Sequence, residues 1–185
     1  MISTSKKKII LASSSPRRKM LLKKIVNDFD IIIPKVDENS IGTPDIIAKN
    51  NAILKGEAII DSENIIIACD TLVALDGEIF EKPNNYDNAF VMLKKLQAKT
   101  HSVFSGVYMR NGSKVICFVE ESKVSIKPLN DMQIKKYLLE YKPFDKAGAY
   151  GIQDGIIVDE YLGSYDNIVG LPTEKLSIAL RKILE

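Results

Sequence analysis

Three groups of residues in this 185-residue chain have the types and spacing for chemistry on a polyanion. The first is Ser13-Ser14-Ser15-Pro16-Arg17-Arg18, which follows an apolar run from Ile9 to Ala12 and leads into Met20, Leu21 and Leu22. Ser15 suits a helix N-cap and Pro16 the first helical position, because proline lacks a donor that a first turn cannot use. Backbone N–H groups, serine hydroxyls and two guanidinium groups would then converge, as the binding of a phosphate chain requires. A capped surface helix would use the same residues, so this stretch alone leaves both readings open.

The second group centres on Asp70, inside the run NIIIACDTLVAL of residues 64–75. A carboxylate among apolar strand residues is costly unless paired, metal-bound or at the strand's mouth. It therefore either ends a buried segment, bonded to nearby backbone, or serves a site. Thr71 points to the opposite face of a regular strand and could cap or line a pocket.

The third group is scattered charge: Glu38 in the acidic pair Asp37-Glu38, then Lys55, Lys82 and Lys146. Lysines beside turns are commonly just solvated. Added to Arg17, Arg18 and Asp70, they make an inventory of two carboxylates and several cations, which is what hydrolysis of a phosphoanhydride needs. Carboxylates hold a hard divalent cation such as Mg²⁺ and take a proton from water, while Arg and Lys offset phosphoryl charge. The small-residue run 147–153, AGAYGIQ, would let backbone approach a flat ligand, with Gln153 offering a donor and an acceptor to a base edge. A tight loop packed by Tyr150 is the other reading.

Other chemistries are poorly supplied. The chain has no GK[ST] phosphate loop, no GxGxxG and no GxSxG elbow. His101, the single histidine, sits beside Thr100 at a strand start and reads as structural.

The elements that must position these groups follow from period and punctuation. Strands are expected at 9–12, 30–33, 64–75 (interrupted at Asp70-Thr71), 78–80, 101–109, 114–126 and 156–162, with hairpins at Asp76-Gly77 and Asn111-Gly112. Helices are expected from Pro16, from Pro44 with Thr43 as N-cap, over 86–96, from Asn130 with Gln133 closing a capping box, and over 172–184. Helices alternating with strands and hairpins indicate an α/β fold with a mixed sheet. At 185 residues, with no linker or repeat, one domain over 1–185 is the expectation.

Charge and cysteine usage bound the partners. Twenty-six basic against 24 acidic residues give a net charge of +2, and there is no Trp, so nucleic acid is not indicated. Lys6, Lys7 and Lys8 form the one basic run near a terminus and read as solvated. Cys69 and Cys117 each lie in apolar runs and form no CxxC pair, which fits a reduced cytosolic chain with buried thiols. No stretch reaches membrane-span length, and no signal-peptide core is seen.

Six ordered blocks carry a resemblance: LASSSPRRKMLL, VDE at 36–38, ACDTLVALDGEIFEKP at 68–83, THSVFSGV at 100–107, DKAGAYGIQ at 145–153 and GSYDNIVGLP at 163–172. Together they resemble the Maf family of nucleoside triphosphate pyrophosphatases. The resemblance implies a mixed sheet flanked by helices with a central nucleotide cleft. It also implies hydrolysis between the α and β phosphates, giving monophosphate and pyrophosphate with a divalent cation, Mg²⁺ or Mn²⁺. On this basis Asp70 is the water-activating base, and Arg17, Thr71 and Gln153 occupy the positions that set base preference. Their combination is that of the branch acting on dTTP and UTP, with CTP and modified pyrimidine nucleotides as extensions. Ser13, Arg18, Lys55 and Lys82 match phosphate-handling positions, and Glu38 with Asp70 the metal positions. A homodimer, a cytoplasmic location and a role in nucleotide house-cleaning or division restraint come with the resemblance. The alternative is a non-catalytic nucleotide-binding or division-regulating protein using the same pocket.

The chain departs from the pattern at three places. Glu81 replaces the glycine that usually precedes Lys-Pro, which puts the local turn and the aim of Lys82 in question. Gly56 replaces the usual alanine after Lys55, expected to weaken that helix by about 1 kcal/mol at most. Ser105 replaces a usual threonine.

Overall fold

In a computed structural model, residues 7–185 are described, so Lys6 lies outside the described residues. They build one seven-stranded sheet from β1 (Ile9–Ala12), β2 (Asp30–Ile32), β3 (Ile65–Leu75), β4 (Glu78–Phe80), β5 (Thr100–Asn111), β6 (Lys114–Ile126) and β7 (Val158–Leu162). The order is β2-β1-β3-β5-β6-β7, with β4 also on β3. β1 runs parallel to β2 and β3, and every other pairing is antiparallel. The mixed α/β expectation is met.

β3 is the spine. Its first six residues are all buried, as β-branched and apolar side chains covered on both faces must be. The expected interruption at Asp70-Thr71 does not occur, because β5 pairs with β3 without a break from Ile65 to Ala74. What changes is the other edge. There β1 pairs through Ala68 and β4 begins only at Val73, so residues 69–72 lack a partner strand on that side. Asp70 and Thr71 sit in this gap, just beyond the carboxyl end of β1, where open α/β sheets present their ligand crevices.

The two faces of the sheet are covered unequally. α2 (Pro44–Glu57) lies on one face, against Ile10, Ala12, Ile66, Ala68 and Tyr108. α1 (Pro16–Leu22) and α6 (Thr173–Leu184) cover the other through Leu21, Leu22, Leu176 and Leu180. α3 (Tyr86–Leu96) and α4 (Asp131–Tyr141) continue that second face around Val73, Val103 and Val124. Glycine sets how closely α2 can approach. A Cβ at Gly106 would stand 2.2 Å from the main-chain oxygen of Ala48, so α2 reaches the backbone of β5 only because that side chain is missing. Gly106 is the register partner of Asp70, which places α2 directly beside the carboxylate.

Local signals explain most boundaries. Asp76 (φ 52°) and Gly77 (φ 82°) both take positive φ, as the tight β3–β4 turn demands. The Asn130–Gln133 capping box is present in full. The β5–β6 turn is displaced by one residue from the expected Asn111-Gly112: Asn111 pairs with Lys114 inside the ladder, and Gly112 at φ 60° starts the turn. Asn111 is held there because its amide donates to the Ile183 carbonyl at 2.9 Å and accepts from Lys7 at 2.7 Å. Lys8 likewise reaches Asp30 at 3.3 Å, so these two lysines are loosely paired at the surface.

Candidate active site

A cleft of about 1240 Å³ opens at the gap in β3, and every residue singled out for binding or catalysis lines it: Ser13, Arg17, Arg18, Glu38, Lys55, Asp70, Thr71, Lys82 and Gln153. They come from separate elements. Ser13, Arg17 and Arg18 follow β1, Glu38 lies in the loop after β2, and Lys55 is on α2. Asp70 and Thr71 are on β3, Lys82 follows β4, and Gln153 lies in the short helical turn Ile152–Asp154.

Asp70 is 7 % exposed, and its charge is matched at once. Lys55 donates to its Oδ1 at 2.5 Å and stands 2.8 Å from Glu38 Oε1, so one ammonium bridges two carboxylates. The four-residue step from Asn51 to Lys55 puts both on one side of α2. Asn51, 3 % exposed, reaches Asp70 Oδ2 at 3.5 Å. Among the described residues no group of three His, Cys, Asp or Glu converges on one point. Glu38 and Asp70 are the two carboxylates that Lys55 brings to one point. That donor set suits a hard ion bound through one or two carboxylates, with phosphate and water oxygens completing its shell.

Thr71 faces the other way, as strand alternation predicts. Its hydroxyl lies 2.8 Å from Ser105 Oγ and 3.2 Å from the Gly170 carbonyl, and it accepts from Arg18 at 3.1 Å. Arg18 also donates Nε–H to the Gly170 carbonyl at 2.9 Å. Both its acceptors are neutral. Arg18 has no carboxylate partner among the described residues, and neither has Lys82. They are two unpaired cations of the cleft, which Glu81 also lines as a carboxylate without a cation partner among the described residues.

Arg17 is compensated. It binds both the carboxylate and the main-chain oxygen of Asp145, which also accepts from Lys146 at 2.8 Å. Partial burial pushes the Asp145 carboxyl up, but hydrogen bonds and charge from Lys146 and Arg17 outweigh it and hold the group below the usual carboxylate range.

The serine turn differs from the expectation of free donors. Ser13 Oγ accepts the Ser15 N–H at 3.1 Å, and Ser15 Oγ accepts the Arg18 N–H at 3.4 Å. Capping the short helix thus uses two of the amides that were expected to face an anion, while each hydroxyl keeps its own proton to donate.

The turn carrying Gln153 is anchored from behind. Tyr137 accepts the Gly151 N–H at 3.0 Å and donates to Asp154 at 2.5 Å. Tyr150 is 5 % exposed and pairs with His101 Nε2 at 2.7 Å. Gln153 itself is exposed toward the cleft. The run is thus a tight loop packed by Tyr150, with Gln153 near its tip.

Residues 8–183 match the family described as Maf-like protein. The chain belongs to that family. Relatives named dTTP/UTP pyrophosphatase include one from Thermosipho africanus, 45 % identical over 84 % of this chain and 83 % of its own. Another, from Caldicellulosiruptor saccharolyticus, is 42 % identical over 88 % of each chain. The Staphylococcus aureus Ham1 protein shares the fold, with a TM-score of 0.57 at 22 % identity, covering 95 % of this chain and 99 % of that one.

Within this Maf-like chain the three departures have physical accounts. Glu81 takes no left-handed backbone conformation, and its carbonyl accepts the Gly148 N–H at 3.2 Å, so nothing in the local backbone demands glycine. Ser105 supplies the hydroxyl contact to Thr71 that a threonine would also supply. Gly56 is no mere loss of helix propensity, since a Cβ there would stand 2.2 Å from the Tyr108 ring. The sequence reading missed Asn51, Asp145 and the helix α5 (Tyr165–Val169), whose end supplies the Gly170 carbonyl. Asn51 was findable as an amide one helical turn before Lys55. Asp145 stood unassigned inside a quoted block, and α5 is too short to show a period.

Proposed function

We propose that this Maf-like chain hydrolyses nucleoside triphosphates to monophosphate and pyrophosphate, with dTTP and UTP preferred. One observation carries the reading: a buried carboxylate, Asp70, stands in an unpaired strand gap at a cleft that also holds two unpaired cations, Arg18 and Lys82. The names of the relatives agree with it.

The chain's own groups have distinct tasks in this reading. Arg18 and Lys82 draw the triphosphate in, because their charge is not spent on carboxylates. Lys55 exchanges part of its contact with Glu38 and Asp70 for phosphate oxygen, which frees Asp70 to take a proton from the attacking water. The Ser13 hydroxyl donates a hydrogen bond to a phosphate oxygen. Gln153 and Thr71 meet the base side, and Arg17 fixes the 145–153 segment through Asp145. Glu38 and Asp70 would hold a Mg²⁺ or Mn²⁺ ion, which would offset phosphate charge and acidify water. A homodimer and a cytoplasmic location belong to this reading on the resemblance alone. No helix among the described residues is long and apolar enough to cross a membrane.

The test is pyrophosphate release from dTTP, UTP, CTP, dATP, GTP and 7-methyl-GTP with Mg²⁺, with Asp70→Asn alongside. The expected result is turnover of dTTP and UTP that falls by about a thousandfold in the variant at unchanged fold. Nucleotide binding without turnover in the wild type would instead favour the non-catalytic binding protein.

A further inference from the structure

The loop that carries Glu38 is almost free of the rest of the molecule. Residues 34–42 contain no helix or strand, and Ile41 within them is 81 % exposed. Among the described residues, the hydrogen bonds and ion pairs leaving this segment all go to α2. The Asn39 N–H donates to Asn51 Oδ1 at 2.7 Å, Asn51 Nδ2 donates back to the Asn39 carbonyl at 3.1 Å, and Lys55 meets Glu38 at 2.8 Å.

The two Asn51 bonds are reciprocal, as between neighbouring strands, so a side chain serves as the loop's pairing partner. Asn51 is 3 % exposed, and Nδ2 also lies 3.5 Å from Asp70 Oδ2. One buried amide therefore ties the residue next to Glu38 and faces the second carboxylate. The lysine contact is not an equivalent tether. In the pyrophosphatase reading Lys55 gives up part of its contact with the carboxylates when phosphate arrives, whereas Asn51 has no charge to be drawn away.

We propose that Asn51 is the positioning residue that holds Glu38 opposite Asp70, keeping both carboxylates in register for the cation while Lys55 engages the substrate. The inference rests on the pyrophosphatase reading and deepens it. An outer partner of this kind acts on cation affinity and turnover more than on nucleotide binding.

Amide hydrogen exchange by NMR on the full-length protein, wild type and Asn51→Ala, tests the tether without any activity. In the wild type the Asn39 amide should exchange more slowly than those of Glu38 and Ser40, which have no such acceptor, and Asn51→Ala should remove that protection. In kinetics the same variant should lose about 10- to 100-fold in kcat and need correspondingly more Mg²⁺ for half activity, with the dTTP KM little changed. A fast-exchanging Asn39 amide in the wild type would overturn the tether. Lost protection with unchanged kcat and Mg²⁺ requirement would overturn the positioning role. Should Asn51→Ala fail to fold, Asn51→Ser takes its place, and the wild-type exchange measurement still decides whether the tether exists. A wild type that turns over no nucleotide, with Asn39 protected, would sink the pyrophosphatase reading and the role built on it while leaving the tether standing.

Discussion

Asp70 and Thr71 are consecutive in one strand, yet they belong to two different electrostatic regions. On the Asp70 face, charge is met by charge: Lys55 lies between Glu38 and Asp70, and both ends of the Lys55–Asp70 pair are nearly buried. Immediately around Thr71, polar groups meet neutral partners. Thr71 contacts Ser105 and the Gly170 carbonyl, His101 pairs with Tyr150, and even Arg18 ends on a hydroxyl and a carbonyl. A compensated ionic face can exchange partners when a polyanion arrives. A neutral, cross-bonded face keeps its shape and leaves Arg18 with charge to offer.

Breaking the ionic face should have the largest effect. Lys55→Met removes the only cation on Asp70 among the described residues and strands a buried carboxylate, which should cost about 3 kcal/mol in urea unfolding and about a hundredfold in kcat or more. Stability equal to wild type would mean that Asp70 does not depend on Lys55 for compensation.

The neutral face can be sharpened through His101. Burial pulls its pKa down from 6.5 to about 4, so the folded protein keeps the ring uncharged. Because the folded value is depressed, the contribution is complete above pH 6.5 and is lost as pH falls toward about 4. At about 1.4 kcal/mol per pH unit it amounts to about 3 kcal/mol at most. His101→Gln, which can still bond Tyr150, should flatten the decline of unfolding free energy between pH 7 and pH 4. An identical slope would mean that the buried ring is not what resists acid there.

The smallest expected effect is that of Thr71→Val. It leaves Arg18 and Ser105 short of one partner, costing about 1–2 kcal/mol. It should disturb preference among bases more than turnover of dTTP, and a kcat collapse like that of Asp70→Asn would erase the distinction between the faces.

Much of this was legible in the sequence because the signals are local. The Ser15-Pro16 start of α1, the Asn130–Gln133 box and the Asp76-Gly77 turn each follow from residues a few positions apart. The candidate site was legible as residue types, and all nine candidates do line one cleft. What the sequence could not carry is pairing at long range. That Lys55 would sit between Glu38 and Asp70 depends on how deeply α2 settles, which Gly106 decides from a distant part of the chain. The gap opposite Asp70 depends on where β1 stops and β4 starts along the same edge, so the residue looked like a break in a strand that is in fact continuous.

Gly56 and Tyr108 carry a consequence for how this chain can change over generations. The ring of Tyr108 fills the space that an alanine methyl at position 56 would occupy, so position 56 is not free while the ring stays. Alanine at position 56 is open only after the aromatic ring has gone, and a chain that lost the ring first would pass through a void in the core. The order of steps matters here, because a single methyl at position 56 is obstructed by a neighbour fifty-two residues along the chain.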